Sequence, residues 1–212
     1  MTEELGLRAR KKRQTAARIW QVAVDLCAER GFDHVSVAEI AEAADVSKMT
    51  VFNYFGTKED VIVGPMEDHA EDPARAVRER RPGESAVAAA RRQFLEQIPR
   101  RDPSIGLGGD PRTLKVRQLI KETPTLAHRV VIFHMRSVQL LADELAEETG
   151  DMLLARVAAA QLIGARNALI MQNHERTLAG DPDDEIAKGC AEAAERAFDL
   201  VEKGLQGYPG NA

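Results

Sequence analysis

Residues 47–58 read Ser-Lys-Met-Thr-Val-Phe-Asn-Tyr-Phe-Gly-Thr-Lys, a short stretch dense in side chains that bond to nucleic acid. On a helix with a step of about 100° per residue, Val51 and Phe55 share one face, and Met49 and Asn53 lie opposite. Lys48 and Phe52 flank that outer face on one side, Thr50 and Tyr54 on the other. Asn53 has the donor and acceptor needed to pair bidentately with adenine, and Met49 and Phe52 suit thymine methyls. Ser47, Lys48, Thr50 and Tyr54 suit phosphate oxygens. Lys58, at the start of the next helix, adds a cation to the positive end of that helix's dipole. The same spacing also fits two ordinary short helices of a bundle, with Met49 and Phe52 in its core. Other chemistry finds little support. The five histidines are scattered without a metal-ligand spacing, and no nucleophile motif or Gly-rich phosphate loop occurs. Cys27 and Cys190 lie far apart in helical patterns, as core or interface residues do. No metal, no cofactor and no enzymatic activity are therefore expected.

Positioning residues 48–55 against DNA requires a supporting frame, and the preceding residues supply one. Ile19, Val22, Ala23 and Leu26 follow helical spacing, with Thr15 as cap and Gly31 as stop, so a helix is expected over 15–30. Ser36 followed by Glu39 reads as a capping box opening a short helix to Ala44. Asp45-Val46-Ser47 makes a turn, and Ser47 caps the helix over 48–55. Val37, Ile40, Ala41, Ala44 and Val46 then form a core with Val51 and Phe55. Two short helices joined by a three-residue turn behind a longer helix make a helix-turn-helix. Ahead of it, residues 8–18 hold six cations (Arg8, Arg10, Lys11, Lys12, Arg13 and Arg18) and no acid, whereas the whole chain carries a net charge of −5. Such asymmetry suits a protein that meets DNA at one end, and equally a solvated terminus.

The chain has 212 residues, 44% of them hydrophobic and only 4% aromatic. Abundant Ala and Leu with few aromatics favour an all-α fold. Further helices are expected from Lys58, interrupted by Pro65 and Pro73, then over 84–98, 111–122, 124–149, 151–178 and 182–203. Residues 99–110, with three glycines, read as a mobile loop, and 206–212 as a disordered tail. No stretch reaches the roughly 18 uninterrupted apolar residues of a membrane span, and the charged first 20 residues lack a signal-peptide core. A cytoplasmic protein without a membrane partner is expected.

Three runs carry a resemblance: Leu26 to Asp33 (LCAERGFD), Ser36 to Ala44 (SVAEIAEAA) and Val46 to Asp60 (VSKMTVFNYFGTKED). Residues 15–62 resemble the N-terminal domain of the TetR family of bacterial regulators. The resemblance implies that Ser36 and Val37 start the first helix of the motif. It implies that Ser47, Lys48, Met49, Phe52, Asn53 and Tyr54 face double-stranded operator DNA, and that Lys58 holds a phosphate. Asp45 stands where the family usually has Gly, a position that Asp tolerates better than most residues. Met49 stands where Gly is common, which bears on the sequence read.

The cations over 8–18 make residues 1–14 a basic arm, and the same resemblance implies a larger helical domain over 63–205 that dimerises through its last two helices and encloses a ligand site. Cys190, Ala194, Ala197 and Phe198, in a stripe of mostly small residues, are the candidate homodimer contacts. Phe94, Ile98, Phe133, Ser137, Leu141, Gln161 and Met171 are the candidate pocket lining, with 103–109 as a gate and the proline-interrupted helix after Lys58 as a hinge. Residues 117–126, including Glu122-Thr123-Pro124, resemble a TetR subgroup that binds acyl-CoA-like ligands. The expected protein is a dimeric repressor released from a palindromic operator by a hydrophobic small molecule. The alternative is a constitutive DNA-binding or protein-recruiting factor whose C-terminal part only dimerises.

Overall fold

The computed structural model describes residues 2–204, with side chains from residue 6 onward. The expected disordered tail lies outside the described residues. Ten α-helices and two 3₁₀ turns make up the described secondary structure, divided between two compact units.

The first unit comprises residues 1–65 and 111–130. It holds α1 (Thr2–Arg30), a 3₁₀ turn (Phe32–His34), α2 (Val37–Ala43), α3 (Lys48–Phe55), most of α4 (Lys58–Glu67), α7 (Pro111–Glu122) and the start of α8 (Pro124–Thr149). Helix α1 begins well before Thr15, so residues 2–14 are helical rather than a loose arm. The physical reason is local: this segment lacks proline, and its Leu, Arg, Lys, Gln and Glu residues are good helix formers. Gly31 ends α1 with φ 86°, and its N–H closes onto the Cys27 carbonyl at 2.8 Å. Helix α7 docks on α1 through Asp25, which accepts from Lys115 Nζ at 2.7 Å and Arg112 Nη2 at 3.2 Å. The Lys115 hydrogen bond is the largest influence holding the Asp25 carboxyl below its ordinary range. The compact body around α2 and α3 therefore takes in α7 as well as the three N-terminal helices.

Among the described residues the second unit comprises 66–110 and 131–204. Its helices are α5 (Asp72–Arg78), α6 (Ala86–Gln97), the remainder of α8, α9 (Met152–Ala179) and α10 (Asp183–Gly204). Phe94 and Phe198 meet edge-on at 6.0 Å between ring centroids, at the centre of a core that includes Leu141, Leu162, Ile163 and Ile186. Such ring pairs add about 0.5–1.5 kcal/mol beyond area burial.

The segment 99–110 is packed, against the expectation of a mobile loop. Ile105 and Leu107 are fully buried, and Asn173 Nδ2 donates to the Ile105 carbonyl at 2.8 Å. Gly106 has φ 81°, and a Cβ there would come within 2.7 Å of the Ile170 carbonyl oxygen. The glycines admit close approach to α9 rather than freedom, so a gate at 103–109 is not supported. Helix α9 is long and apolar enough to cross a membrane by length and composition, with a mean hydropathy of 1.3 over its most apolar window. One face of it, including Ala155, Ala159, Leu162, Ile163 and Ile170, is instead buried in this core.

Candidate nucleic-acid interface

The corner that presents α3 is built by side chains locking onto backbone ends. Ser36 caps α2: its Oγ accepts from Glu39 N at 3.2 Å, while Glu39 Oε2 accepts from Ser36 N at 2.8 Å. Arg30 Nη2 donates to the other Glu39 oxygen at 2.7 Å. Those bonds, the Ser36 N–H first, hold the Glu39 carboxyl at about 2, so the box stays ionised throughout the neutral range. Asp45 takes the turn with φ 51°, the left-handed conformation that the usual glycine adopts freely. Ser47 then caps α3, its Oγ accepting from Thr50 N at 3.0 Å and lying 2.8 Å from Thr50 Oγ1.

Helix α3 turns the face predicted from its sequence to solvent. Val51 is buried, while Met49 is 68% exposed and Lys48, Phe52 and Asn53 are exposed. Met49 and Phe52 are therefore not core, which excludes the ordinary-bundle reading. Tyr54 and Thr50 are half-buried at the flanks. Lys48 Nζ lies 5.9 Å from the Phe52 ring centroid, so cation and ring share one surface. Lys12 Nζ lies 6.0 Å from the Tyr54 ring, which sets the basic N-terminal half of α1 beside the recognition helix. Ser36 is exposed and Val37 half-buried at the start of α2.

Lys58 is placed differently from expectation. Its Nζ donates to the Phe32 carbonyl at 2.5 Å and stands 4.0 Å from the Phe32 ring centroid. The buried ring and the Phe32 carbonyl, which also accepts from Val35 N at 3.3 Å, together hold the ammonium, so it braces α4 against the turn that follows α1. Two further braces escaped the sequence reading. Trp20 Nε1 donates to the Ile62 carbonyl at 3.1 Å. Arg129 Nε, on α8, donates to Asp60 Oδ1 at 2.6 Å, while Asp60 Oδ2 accepts from Thr57 Oγ1 at 2.7 Å. Thr57 follows α3 by two residues, so this pair fixes the exit of the recognition helix.

The remaining predicted residues fall in the second unit. Phe94, Ile98 and Leu141 belong to its core, and Phe133 and Ser137 are buried on α8. Gln161 and Met171 are exposed, on the outer side of α9, and do not line an interior site with the others. Cys190, Ala194 and Phe198 are buried within the chain's own core, and Ala197 is half-buried at its edge. They hold α10 within the fold rather than presenting an interface. The reason is that α9 carries apolar residues on two faces, and its inner face claims the α10 stripe. Burial also pushes the thiols of Cys27 and Cys190 above the ordinary range, which leaves both unreactive.

A recognition helix capped, braced from behind and bared on its polar-aromatic face defines a helix-turn-helix DNA-binding protein. Residues 19–63 match the family described as bacterial regulatory proteins, tetR family. Residues 19–63 are thus similar to the DNA-binding domain of tetR-family regulators, and the chain shares the all-helical fold of solved structures of such regulators. The regulator TcmR of Streptomyces glaucescens is 33% identical over 123 residues, 57% of this chain. The match spans about half of TcmR, 54% of its length. NalD of Pseudomonas aeruginosa, the secondary repressor of an efflux pump, has the same fold at TM-score 0.54 and 17% identity, over 87% of this chain and 97% of that one. FadR of Bacillus subtilis, solved with stearoyl-CoA, superposes at TM-score 0.50 and 18% identity, over 87% and 96% of the two chains. Relatives of this family are regulators, not enzymes.

Proposed function

We propose that the protein is a cytoplasmic, ligand-responsive transcriptional repressor that binds a palindromic operator as a homodimer and leaves it when a hydrophobic small molecule binds. In this reading Met49, Phe52 and Asn53 meet base edges, and Ser36, Val37, Ser47, Lys48, Thr50 and Tyr54 line the phosphates. The observation that carries the dimer is the outer stripe of α9 and α10. Leu153 and Leu200 are 71% and 72% exposed, and Val157, Ala168 and Met171 are also exposed. Gly164 lies in the same α9 stripe, and a Cβ there would meet nothing within 4 Å. Small residues among apolar ones let two copies of α9 approach closely. A single eight-residue recognition helix reads only a few base pairs, so two-fold pairing supplies the second half-site.

The stearoyl-CoA in FadR supports an acyl-CoA-like or similarly amphipathic effector on this architecture. Repression is supported by NalD's description as a repressor. The test is Val157→Arg, followed by sedimentation velocity and gel shift on an inverted repeat selected from random DNA. Wild type is expected to sediment as a dimer. The variant is expected to be monomeric and to lose at least about a hundredfold in operator affinity, since one half-site contributes much less than two. A wild-type monomer that binds operator tightly refutes the reading.

A further inference from the structure

Arg166 interrupts an otherwise apolar stretch. It is the sole Asp, Glu, Lys or Arg between Arg156 and Glu175. The residue is half-buried, one turn from the buried Leu162 and Ile170, where helical spacing calls for an apolar side chain. Its guanidinium Nε and Nη2 are shielded from solvent and meet no acceptor. A buried donor that carries charge and lacks a partner is costly, and natural proteins retain one chiefly where something else completes it.

The surroundings are polar and preorganised. Asp72 and Asp102 are near enough to act electrostatically on Arg166, and Arg166 acts in turn on His69 and His134. Both aspartates are already engaged. Asp72 accepts from His69 Nδ1 at 2.9 Å and from Arg75. Asp102 Oδ1 accepts from Ser104 N at 2.9 Å. Ser104 Oγ in turn accepts from Gln97 Nε2 at 3.1 Å, which leaves Gln97 Oε1 buried without a donor. Neither carboxylate bonds to Arg166. Arg166 Nε and Nη2 thus remain an open cationic fork in the second unit, with unpartnered acceptors at Gln97 Oε1 and Asn167 Oδ1 in the same unit.

We propose that Arg166 is the anchor of an effector site for an amphipathic organic acid, its guanidinium receiving the carboxylate and the apolar part of the acid lying among neighbouring side chains. The inference rests on the ligand-responsive reading above and adds the charge that the effector must carry. A guanidinium is the side chain best shaped for this, because its planar fork meets both carboxylate oxygens. Desolvation pushes the Arg166 pKa down, and Asp72 and Asp102, which do not bond to it, oppose that shift only in part.

The experiment uses the full chain with matched probes: dodecanoate against dodecan-1-ol, and 1-naphthoate against 1-naphthalenemethanol. Binding is read by calorimetry, and operator release by fluorescence anisotropy. At least one acid is expected to bind roughly tenfold or more tightly than its alcohol, the range of one charged hydrogen-bonded pair. Arg166→Met is expected to abolish that preference, and Arg166→Lys to retain part of it. Unliganded Arg166→Met is expected to melt no lower than wild type, since it removes a charge without a hydrogen-bonded partner. A melting temperature several degrees lower would make Arg166 a structural counter-ion and overturn the inference. Equal binding of acids and alcohols by wild type overturns the inference while leaving a ligand-responsive repressor intact. Absence of binding by every probe at millimolar concentration overturns both.

Discussion

Arg129→Met tests whether α8 holds the exit of the recognition helix. The Asp60 carboxylate is nearly buried and has two side-chain donors, Thr57 Oγ1 at 2.7 Å and Arg129 Nε at 2.6 Å. Breaking a fully buried pair by removing one partner costs about 3–5 kcal/mol, and an exposed pair is worth about 0–1 kcal/mol. The Arg129 side chain is 30% exposed and Thr57 stays behind to solvate Asp60, which places the expected loss between those limits, at about 1.5–2.5 kcal/mol. Trp20 is the sole tryptophan and donates to the Ile62 carbonyl beside this pair. Its fluorescence therefore reports unfolding of the first unit directly. Denaturant titrations of wild type, Arg129→Met, Asp60→Asn and the double variant give the coupling, expected at about 1–2 kcal/mol. A coupling below about 0.5 kcal/mol, the ordinary error of additivity, refutes the assignment of this pair as a brace.

Three further variants are set by the geometry. Gly106→Ala combines a left-handed residue, about 1–2 kcal/mol, with a forced approach to the Ile170 carbonyl, about 1–3 kcal/mol. It is expected to lower the stability of the second unit by about 2–5 kcal/mol in a circular-dichroism melt, and a neutral result would mean that the 102–107 segment yields. Lys58→Ala is expected to destabilise the Trp20-reported unit by about 1–2 kcal/mol through loss of the Phe32 carbonyl and ring. Lys48→Ala is instead expected to leave stability unchanged and reduce the salt slope of operator binding by about one; the opposite pattern would return the phosphate role to Lys58.

The recognition helix was legible because its instructions are local. Ser36, Glu39, Ser47 and Asp45 each act on backbone within a few residues, so caps and turn could be placed from spacing alone. The outward set on α3 followed because Val51 was the natural inward residue. Long-range choices were illegible for the converse reason. Helix α9 has apolar residues at Ala159, Leu162 and Ile163 and also at Leu153, Val157 and Met171, and periodicity cannot say which face meets the core. Once the inner face is taken, Cys190, Ala194 and Phe198 must follow it inward, and the exposed apolar stripe lies on the other side. The Lys58 contact was illegible because its partner, the Phe32 carbonyl, is fixed only when α1 and α4 pack. The loop at 99–110 was misread because glycine permits either mobility or contact. Ile105 and Leu107, two apolar residues with no solvent role, were the overlooked sign of contact. Arg166 did leave a trace, a lone cation on a buried stripe, which a search for unexpected charge would have found.

The same residues suggest how an effector signal would reach α3. Helix α8 has 26 residues and is about 39 Å long at 1.5 Å per residue. It carries Arg129, bonded to Asp60, and eight residues further on, in its second-unit part, it carries the buried Ser137, a turn beyond Phe133 and His134. A hundredfold loss of operator affinity requires the effector to favour the released form by about 2.7 kcal/mol. The Arg129–Asp60 contact is worth about 1–2 kcal/mol on the coupling above, so a shift of α8 that breaks it supplies a large part of that roughly 2.7 kcal/mol. If so, Arg129→Met removes the contact in both states and the effector has little left to disrupt. The variant should bind operator more weakly without ligand, and its response to ligand should shrink towards a few-fold. A variant that keeps the full hundredfold response would show that the signal reaches α3 by another route.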